Sequence, residues 1–122
     1  MFPSVDADAA LAQLLEVSDD VRAAVIFERG EALASNLPED EAAEIAARAG
    51  AMLAYAETLR TGAAVKQLVA VTPEGDVYVV RRDVRAVVAI TAPGSLAGLV
   101  QHDLRTLLDS LSRRPRMGVA SA

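Results

Sequence analysis

Three short apolar runs that follow one another between residues 65 and 91 most constrain the fold of this chain. They are "VKQLVAVT", "DVYVV" and "AVVAIT", and their β-branched residues are typical of strands. "PEG" separates the first two runs, and Arg82 and Asp83 lie between the second and third. Connections this short join antiparallel neighbours, because a parallel crossover needs a dozen or more residues. The stretch therefore predicts a three-stranded antiparallel meander.

A second pair of strands is predicted upstream of the meander. "VRAAVIF", residues 21–27, is apolar at both odd and even positions, so both faces of this strand should be covered. "ERGE" follows, with Arg29 and Gly30 as the central pair of a tight hairpin, and residues 32–35 form the return strand.

Helical spacing marks three further segments. A short helix is capped by Ser4, and a long helix starts with Asn36 or Leu37 as its cap and ends before Gly62. A final helix runs from about Ser95 to Arg113, and the residues past Arg116 should fray. The order of elements predicts one sheet between helical layers. Which strands are neighbours across the long helix does not follow from periodicity.

Composition limits the function classes. A chain of 122 residues that is 52% hydrophobic predicts a single domain, with a core over about residues 6–113 and a flexible tail at 114–122. The absence of cysteine and the single histidine argue against a zinc or cysteine-ligated site. A net charge of −5 argues against a nucleic-acid partner. We expect a cytoplasmic protein without a membrane partner, because the chain has neither a secretory signal nor an apolar run long enough to span a bilayer.

The stretch "AITAPGSLAG" has the order of strand, glycine-containing loop and helix that holds phosphate in many proteins. A Walker-type loop also needs a lysine, yet the chain's one lysine is Lys66, and Gly94 and Gly98 do not have the dinucleotide spacing. We therefore interpret the loop as a corner of the fold, in which Ser95 caps the last helix.

No catalytic constellation is recognisable either. His102 and Asp103 are adjacent, so they diverge on a helix and do not form an acid/base pair. His102 instead shares a polar side with Arg105 and Asp109, which is typical of a solvated surface. The sequence predicts no catalytic, cofactor-binding or metal-binding residue and no cofactor.

The long helix carries two apolar stripes. The expected core face is Ile45, Ala49, Met52, Ala56 and Leu59. Across the cylinder lies a stripe of small residues without charge: Ala43, Ala47, Gly50, Ala51 and Ala54. Small residues would let a partner backbone approach closely, although alanine is also simply the best helix former. Both interpretations stay open on the sequence.

The layout as a whole resembles the roadblock/dynein light chain domain, in its bacterial MglB-like branch. The resemblance spans about residues 8–111 and is carried by "VRAAVIFERGEALASNLPEDEAAEIAARAGAML", "VYVV" and "VVAITAPGSLAGLVQHDLRTLL". The chain departs from the pattern at "ERGE", where bacterial relatives often have an aspartate-glycine turn, but the glycine that the hairpin needs is present.

The resemblance implies an α+β fold of the profilin/roadblock type, with a mostly antiparallel five-stranded sheet between one long helix and two shorter ones. It also implies a homodimer, formed through the third strand and the long helix. The residues concerned are Val65, Gln67, Val69 and Val71 with the small-residue stripe. Such dimers are non-catalytic regulators or scaffolds of small Ras-like GTPases, some of them GTPase activators, so a GTP-bound partner is expected. The alternatives are a scaffold that acts without a GTPase and, less favoured, a small-molecule sensor.

Overall fold

The structure is a computed structural model, which describes residues 2–59 and 66–121, with side chains from 7 to 59 and from 66 to 111. Five strands and three helices make up this part of the chain. In order they are α1 (Phe2–Val17), β1 (Val21–Glu28), β2 (Glu31–Ser35), α2 (Glu39–Leu59), β3 (Gln67–Thr72), β4 (Gly75–Arg82), β5 (Arg85–Thr91) and α3 (Ala97–Ser121).

The five strands form one antiparallel sheet in the order β2-β1-β5-β4-β3. The meander of β3, β4 and β5 and the hairpin of β1 and β2 are both confirmed. The link between them is that β1 pairs with β5, from Val21 opposite Thr91 to Glu28 opposite Arg85. The first and last strands of the described sheet are thus central, and β2 and β3 are its edges.

Helices cover both faces of the sheet. On one face, α1 and α3 pack against Ala24, Ile26, Tyr78 and Val80, and on the other, α2 packs against Val25, Phe27, Val79 and Val88. Because successive residues of a strand point to opposite faces, the continuous apolar run of β1 contributes to both cores. This confirms the prediction that β1 is buried on both sides.

The hairpin turn of β1 and β2 has the predicted central pair. Arg29 has φ 53° and Gly30 has φ 81°, which is the left-handed pair of a type I′ turn. The turn between β4 and β5 is shifted by one residue from its predicted place, because β4 continues to Arg82. Asp83, with φ 58°, begins this turn.

Three helix boundaries differ from the predictions. Helix α1 begins at Phe2 rather than Ser4, and α3 begins at Ala97 rather than Ser95. Helix α3 also continues to Ser121, past the predicted end at residue 113 and through the predicted tail. Helix α3 has 25 residues and is the longest helix in the described part of the chain, followed by α2 with 21.

The predicted core face of α2 is only partly confirmed: Ala49 is buried and the half-buried Ile45 packs against the core. The buried residues are Ala42, Ala46, Ala49 and Leu53, a stripe rotated by roughly 70° from the predicted one at 100° per residue. Three alanines in this stripe allow α2 to lie close to β1 and β5, where longer side chains would not fit. Met52 and Leu59, which the hydrophobic pattern placed in the core, are exposed instead.

Candidate partner-binding surface

An exposed apolar surface lies on the side of α2 that faces the edge strand β3. Met52, Tyr55 and Leu59 are 42%, 67% and 68% exposed. With Leu68 of β3 they line an apolar concavity of about 390 Å³. We call this surface the apolar flank; its residues are Ala51, Met52, Tyr55, Ala56, Leu59 and Leu68. Large apolar side chains grouped in this way mark interaction sites.

The free edge of β3 continues this surface around the sheet. Val69 and Val71 are 43% and 77% exposed, and Gln67, on the same face of the strand, is exposed as well. In the pairing with β4, Val69 lies opposite Tyr78, Val71 opposite Asp76 and Gln67 opposite Val80. All three residues are therefore on the face of the sheet that α1 and α3 cover. An edge strand with exposed valines is a template for pairing with another strand. Of the predicted residues of this strand, Val65 lies outside the described part of the chain.

The small-residue stripe lies on the other flank of α2. Ala43, Ala47, Ala51 and Ala54 are exposed, and Gly50 is half-buried. A Cβ atom added to Gly50 would lie 3.4 Å from the Cα of Gly30, so the stripe approaches the β1–β2 turn. Ala47, Gly50 and Ala51 line a cavity of about 540 Å³ whose floor includes Phe27 and Leu53.

The structure thus separates residues that the sequence grouped together. Val69 and Val71 lie at the edge beside the apolar flank, whereas Ala43 and Ala47 lie on the flank towards β2. Ala51 lines both the apolar flank and the cavity beside Gly30. Sequence reasoning missed Met52 and Leu59 as surface residues, whereas it placed Tyr55 on an outer flank of the helix. The available signal was the helical spacing of Ala42, Ala46 and Ala49, which by themselves form a stripe that can face the sheet.

The corner between β5 and α3 is held by a polar network. Ser95 Oγ donates to Asp76 Oδ2 at 3.0 Å and accepts from Thr91 Oγ1 at 3.0 Å. The Tyr78 hydroxyl lies 2.8 Å from the same Ser95 oxygen. Because the Ser95 side chain is engaged here, it is not the predicted cap of α3. Asp76 Oδ1 is buried and has no hydrogen-bond partner among the described residues.

The remaining polar residues make structural contacts. Asp109 pairs with Arg82 at 2.9 Å, Arg105 donates to Gln67 at 3.3 Å, and His102 is exposed. Within residues 2–59 and 66–121, no three histidine, cysteine or acidic side chains lie together as metal ligands would. In the same part of the chain, none of the helices has the length and apolarity that crossing a bilayer requires.

No protein-family sequence model and no curated protein matches the chain. Several solved structures are similar over most of its length. The Roadblock/LC7 domain from Streptomyces avermitilis has 19% identity and a TM-score of 0.78, over 90% of this chain and 96% of that one. MglB of Myxococcus xanthus has 13% identity and a TM-score of 0.77, over 90% and 87%.

The third similar structure is the gliding protein MglB from Thermus thermophilus. It has 22% identity and a TM-score of 0.69, over 91% of this chain and 89% of that one. The likeness therefore covers the sheet and its helical layers rather than a single motif. With five antiparallel strands between α2 and the α1–α3 pair, the chain has the Roadblock/LC7 fold, and its structural neighbours include MglB.

Proposed function

We propose that this protein is a non-catalytic, homodimeric regulator or scaffold of a small Ras-like GTPase and binds the GTPase in its GTP-bound state. One observation carries the proposal: a fold similar to that of MglB presents the apolar flank next to a free edge strand. The resemblance of the sequence to the MglB-like branch supports a cytoplasmic GTPase as the partner.

The exposed apolar side chains of the apolar flank support a dimer. Met52, Tyr55 and Leu59 together expose a large apolar area, and burial stabilises association in proportion to the apolar area removed from water. A second copy offers the same apolar surface, and its own β3 supplies matching backbone donors and acceptors. Pairing of the two edges would join the sheets and cover the apolar flanks of both subunits.

Dimerisation through β3 would leave the small-residue stripe available to the GTPase. Ala43, Ala47 and Ala54 carry no charge and no long side chain, so a partner could approach α2 closely. The stripe borders the cavity of about 540 Å³ beside the β1–β2 turn, which a side chain of the partner could enter. A protein that binds the GTP-bound conformation more tightly than the GDP-bound one shifts the population towards it without chemistry of its own.

The proposal is tested by capture with purified, immobilised protein. Cell extract is loaded with a non-hydrolysable GTP analogue or with GDP, and the retained proteins are identified by mass spectrometry. We expect one small GTPase, retained in the GTP-like state and not with GDP. Its hydrolysis rate with and without the protein then tests activation. Other proteins captured equally in both states, with no GTPase, would favour the alternative of a GTPase-independent scaffold.

A matched pair of variants tests the stripe itself. Ala47→Arg places a long charged side chain in the middle of the stripe and should abolish retention of the GTPase while leaving the dimer intact. Ala9→Arg makes the same change at an exposed position of α1, on the opposite face of the sheet, and should have no effect. Undiminished capture by the Ala47 variant would mean that the stripe is ordinary surface.

A further inference from the structure

A groove runs along β2, at the edge of the sheet opposite to β3. Its floor is β2, which has a strand neighbour on one side only within the described sheet. Its walls are the N-terminal part of α2 and the part of α1 near Asp8, and its volume is about 460 Å³. We call it the β2 groove; its main lining residues are Asp8, Glu31, Leu33, Leu37, Glu39 and Ala42.

The backbone of β2 offers hydrogen-bonding groups to this groove. Glu28 and Glu31 close the two-residue turn between β1 and β2, and a turn of this kind is closed by a hydrogen bond between its end residues. Because hydrogen-bonded and non-hydrogen-bonded pairs alternate along an antiparallel ladder, the next pair, Phe27 and Ala32, is not hydrogen-bonded. The N–H and C=O groups of the exposed Ala32 therefore point away from β1, where they can bond to an added strand.

Apolar side chains lie on both sides of this backbone. Leu33 packs against the core under α1 and α3, and Leu37 packs against the core under α2; both are only half-buried. Successive side chains of an added strand point to opposite faces of the sheet, so they would contact Leu33 on one face and Leu37 on the other. Because a bulge at Leu33 interrupts the edge, a short extended segment fits the groove rather than a long strand.

Every charged side chain of the described residues that line the groove is acidic. Asp8, Glu31 and Glu39 are exposed, and in the described part of the chain none of them forms an ion pair. Pairing of two copies through β2 would bring two such sets of carboxylates together, and juxtaposed like charges suppress a wrong partner. The charge of the groove therefore disfavours a second copy and complements a segment that carries lysine or arginine.

We propose that the β2 groove binds a short, extended, lysine- or arginine-containing segment of a partner protein, which adds to the sheet as a strand beside β2. The backbone of the segment bonds to Ala32, as in other peptides that extend a sheet. Its apolar side chains contact Leu33 and Leu37, and its cationic side chains pair with the acidic residues of the groove. The site lies at the edge of the sheet away from β3, so it goes beyond the proposed function and does not depend on it.

Fluorescence anisotropy with a labelled peptide of alternating lysine and valine tests the site at low ionic strength. We expect saturable binding of one peptide per subunit, and hydrogen exchange should show that the Ala32 amide exchanges more slowly in the complex. A peptide of alternating glutamate and valine should not bind. A lysine–valine peptide with proline at its centre should bind at least roughly threefold more weakly, because proline has no N–H to donate to β2.

Variants of the protein locate the site. Glu31→Lys should raise the dissociation constant of the lysine–valine peptide roughly 2- to 30-fold, since an exposed attraction is replaced by repulsion. Glu16→Lys makes the same change at an exposed position of α1 outside the groove and should leave binding unchanged. Ala32→Pro removes the outward N–H and should weaken binding as the proline in the peptide does. Thermal unfolding checks that this variant folds; if it does not, the proline-containing peptide tests the same pairing.

Four results would overturn the proposal. The first is the absence of saturable binding by the lysine–valine peptide. The second is equal weakening by Glu31→Lys and Glu16→Lys, which would mean attraction to the net charge of −5 rather than to the groove. The third is binding that proline leaves unchanged, which would exclude strand addition. The fourth is dissociation of a dimer into monomers by the peptide, seen by light scattering, which would mean that a second copy covers β2. None of these measurements involves a GTPase, so they are independent of the proposed function.

Discussion

The apolar flank makes a quantitative prediction at Leu59, the last residue of α2. Its side chain is 68% exposed and, with Met52, Tyr55 and Leu68, lines the concavity that a second copy should cover. Leu59→Ala removes most of this side chain without disturbing either core. We therefore expect the variant to weaken the dimer and to leave the folding of the subunit unchanged.

The size of the effect follows from the exposed fraction. Complete burial of a leucine side chain contributes roughly 1.5–3 kcal/mol, and about two-thirds of the Leu59 side chain remains to be buried. Each subunit then loses roughly 1–2 kcal/mol of association free energy, and the symmetric dimer loses twice that amount. The dissociation constant should rise roughly 30- to 700-fold, while the unfolding free energy of the subunit changes by less than about 0.5 kcal/mol.

Sedimentation equilibrium across a dilution series measures the dissociation constant, and thermal unfolding of the monomer checks stability. Leu96→Ala is the matched control, since Leu96 is 67% exposed but precedes α3, away from the apolar flank. This control should dimerise like the unmodified protein. Equal dissociation constants for Leu59→Ala and the unmodified protein, or equal weakening by both variants, would refute the assignment of the apolar flank to the dimer.

Three further predictions concern charge, helix propensity and the polar corner. Lys66 and Glu74 are exposed at opposite ends of the edge strand β3, so antiparallel pairing of two copies would bring them near each other. Lys66→Glu and Glu74→Lys should each raise the dimer dissociation constant at least roughly 2- to 30-fold, because two exposed pairs of about 0.2–1 kcal/mol each are lost; the double variant should recover, and no recovery would count against the pairing. Gly50→Ala should stabilise the subunit by about 0.5–1 kcal/mol in chemical denaturation, since its Cβ makes an ordinary contact with the β1–β2 turn; a loss of stability would mean that this turn cannot accommodate a methyl group. Ser95→Ala removes the hydroxyl that donates to the buried carboxylate of Asp76 and should cost about 1–3 kcal/mol in the same assay; an unchanged midpoint would show that this bond does not hold the corner.

The candidate site shows where prediction from sequence ended. A helical hydrophobic pattern ranks Met52 and Leu59 above alanine as core residues, yet α2 packs on the sheet through Ala42, Ala46 and Ala49. Close approach of a helix to a sheet selects small side chains, and hydrophobicity alone does not express that distance. Gly50, which the pattern placed in a partner stripe, lies beside the backbone of Gly30, where an added Cβ would be 3.4 Å from the Cα atom.

Local chemistry let the sequence determine which segments are strands, which are helices and where the chain turns. Arg29 and Gly30 form the predicted hairpin turn because the type I′ geometry depends on two adjacent residues. Tertiary structure alone decided that β1 pairs with β5 and so joins the predicted hairpin to the predicted meander, since periodicity does not say which strands are neighbours. The resulting strand order makes β3 an edge and brings Met52, Tyr55 and Leu59 beside it. The candidate interface therefore exists only through packing between segments distant in sequence, which periodicity within a segment does not encode.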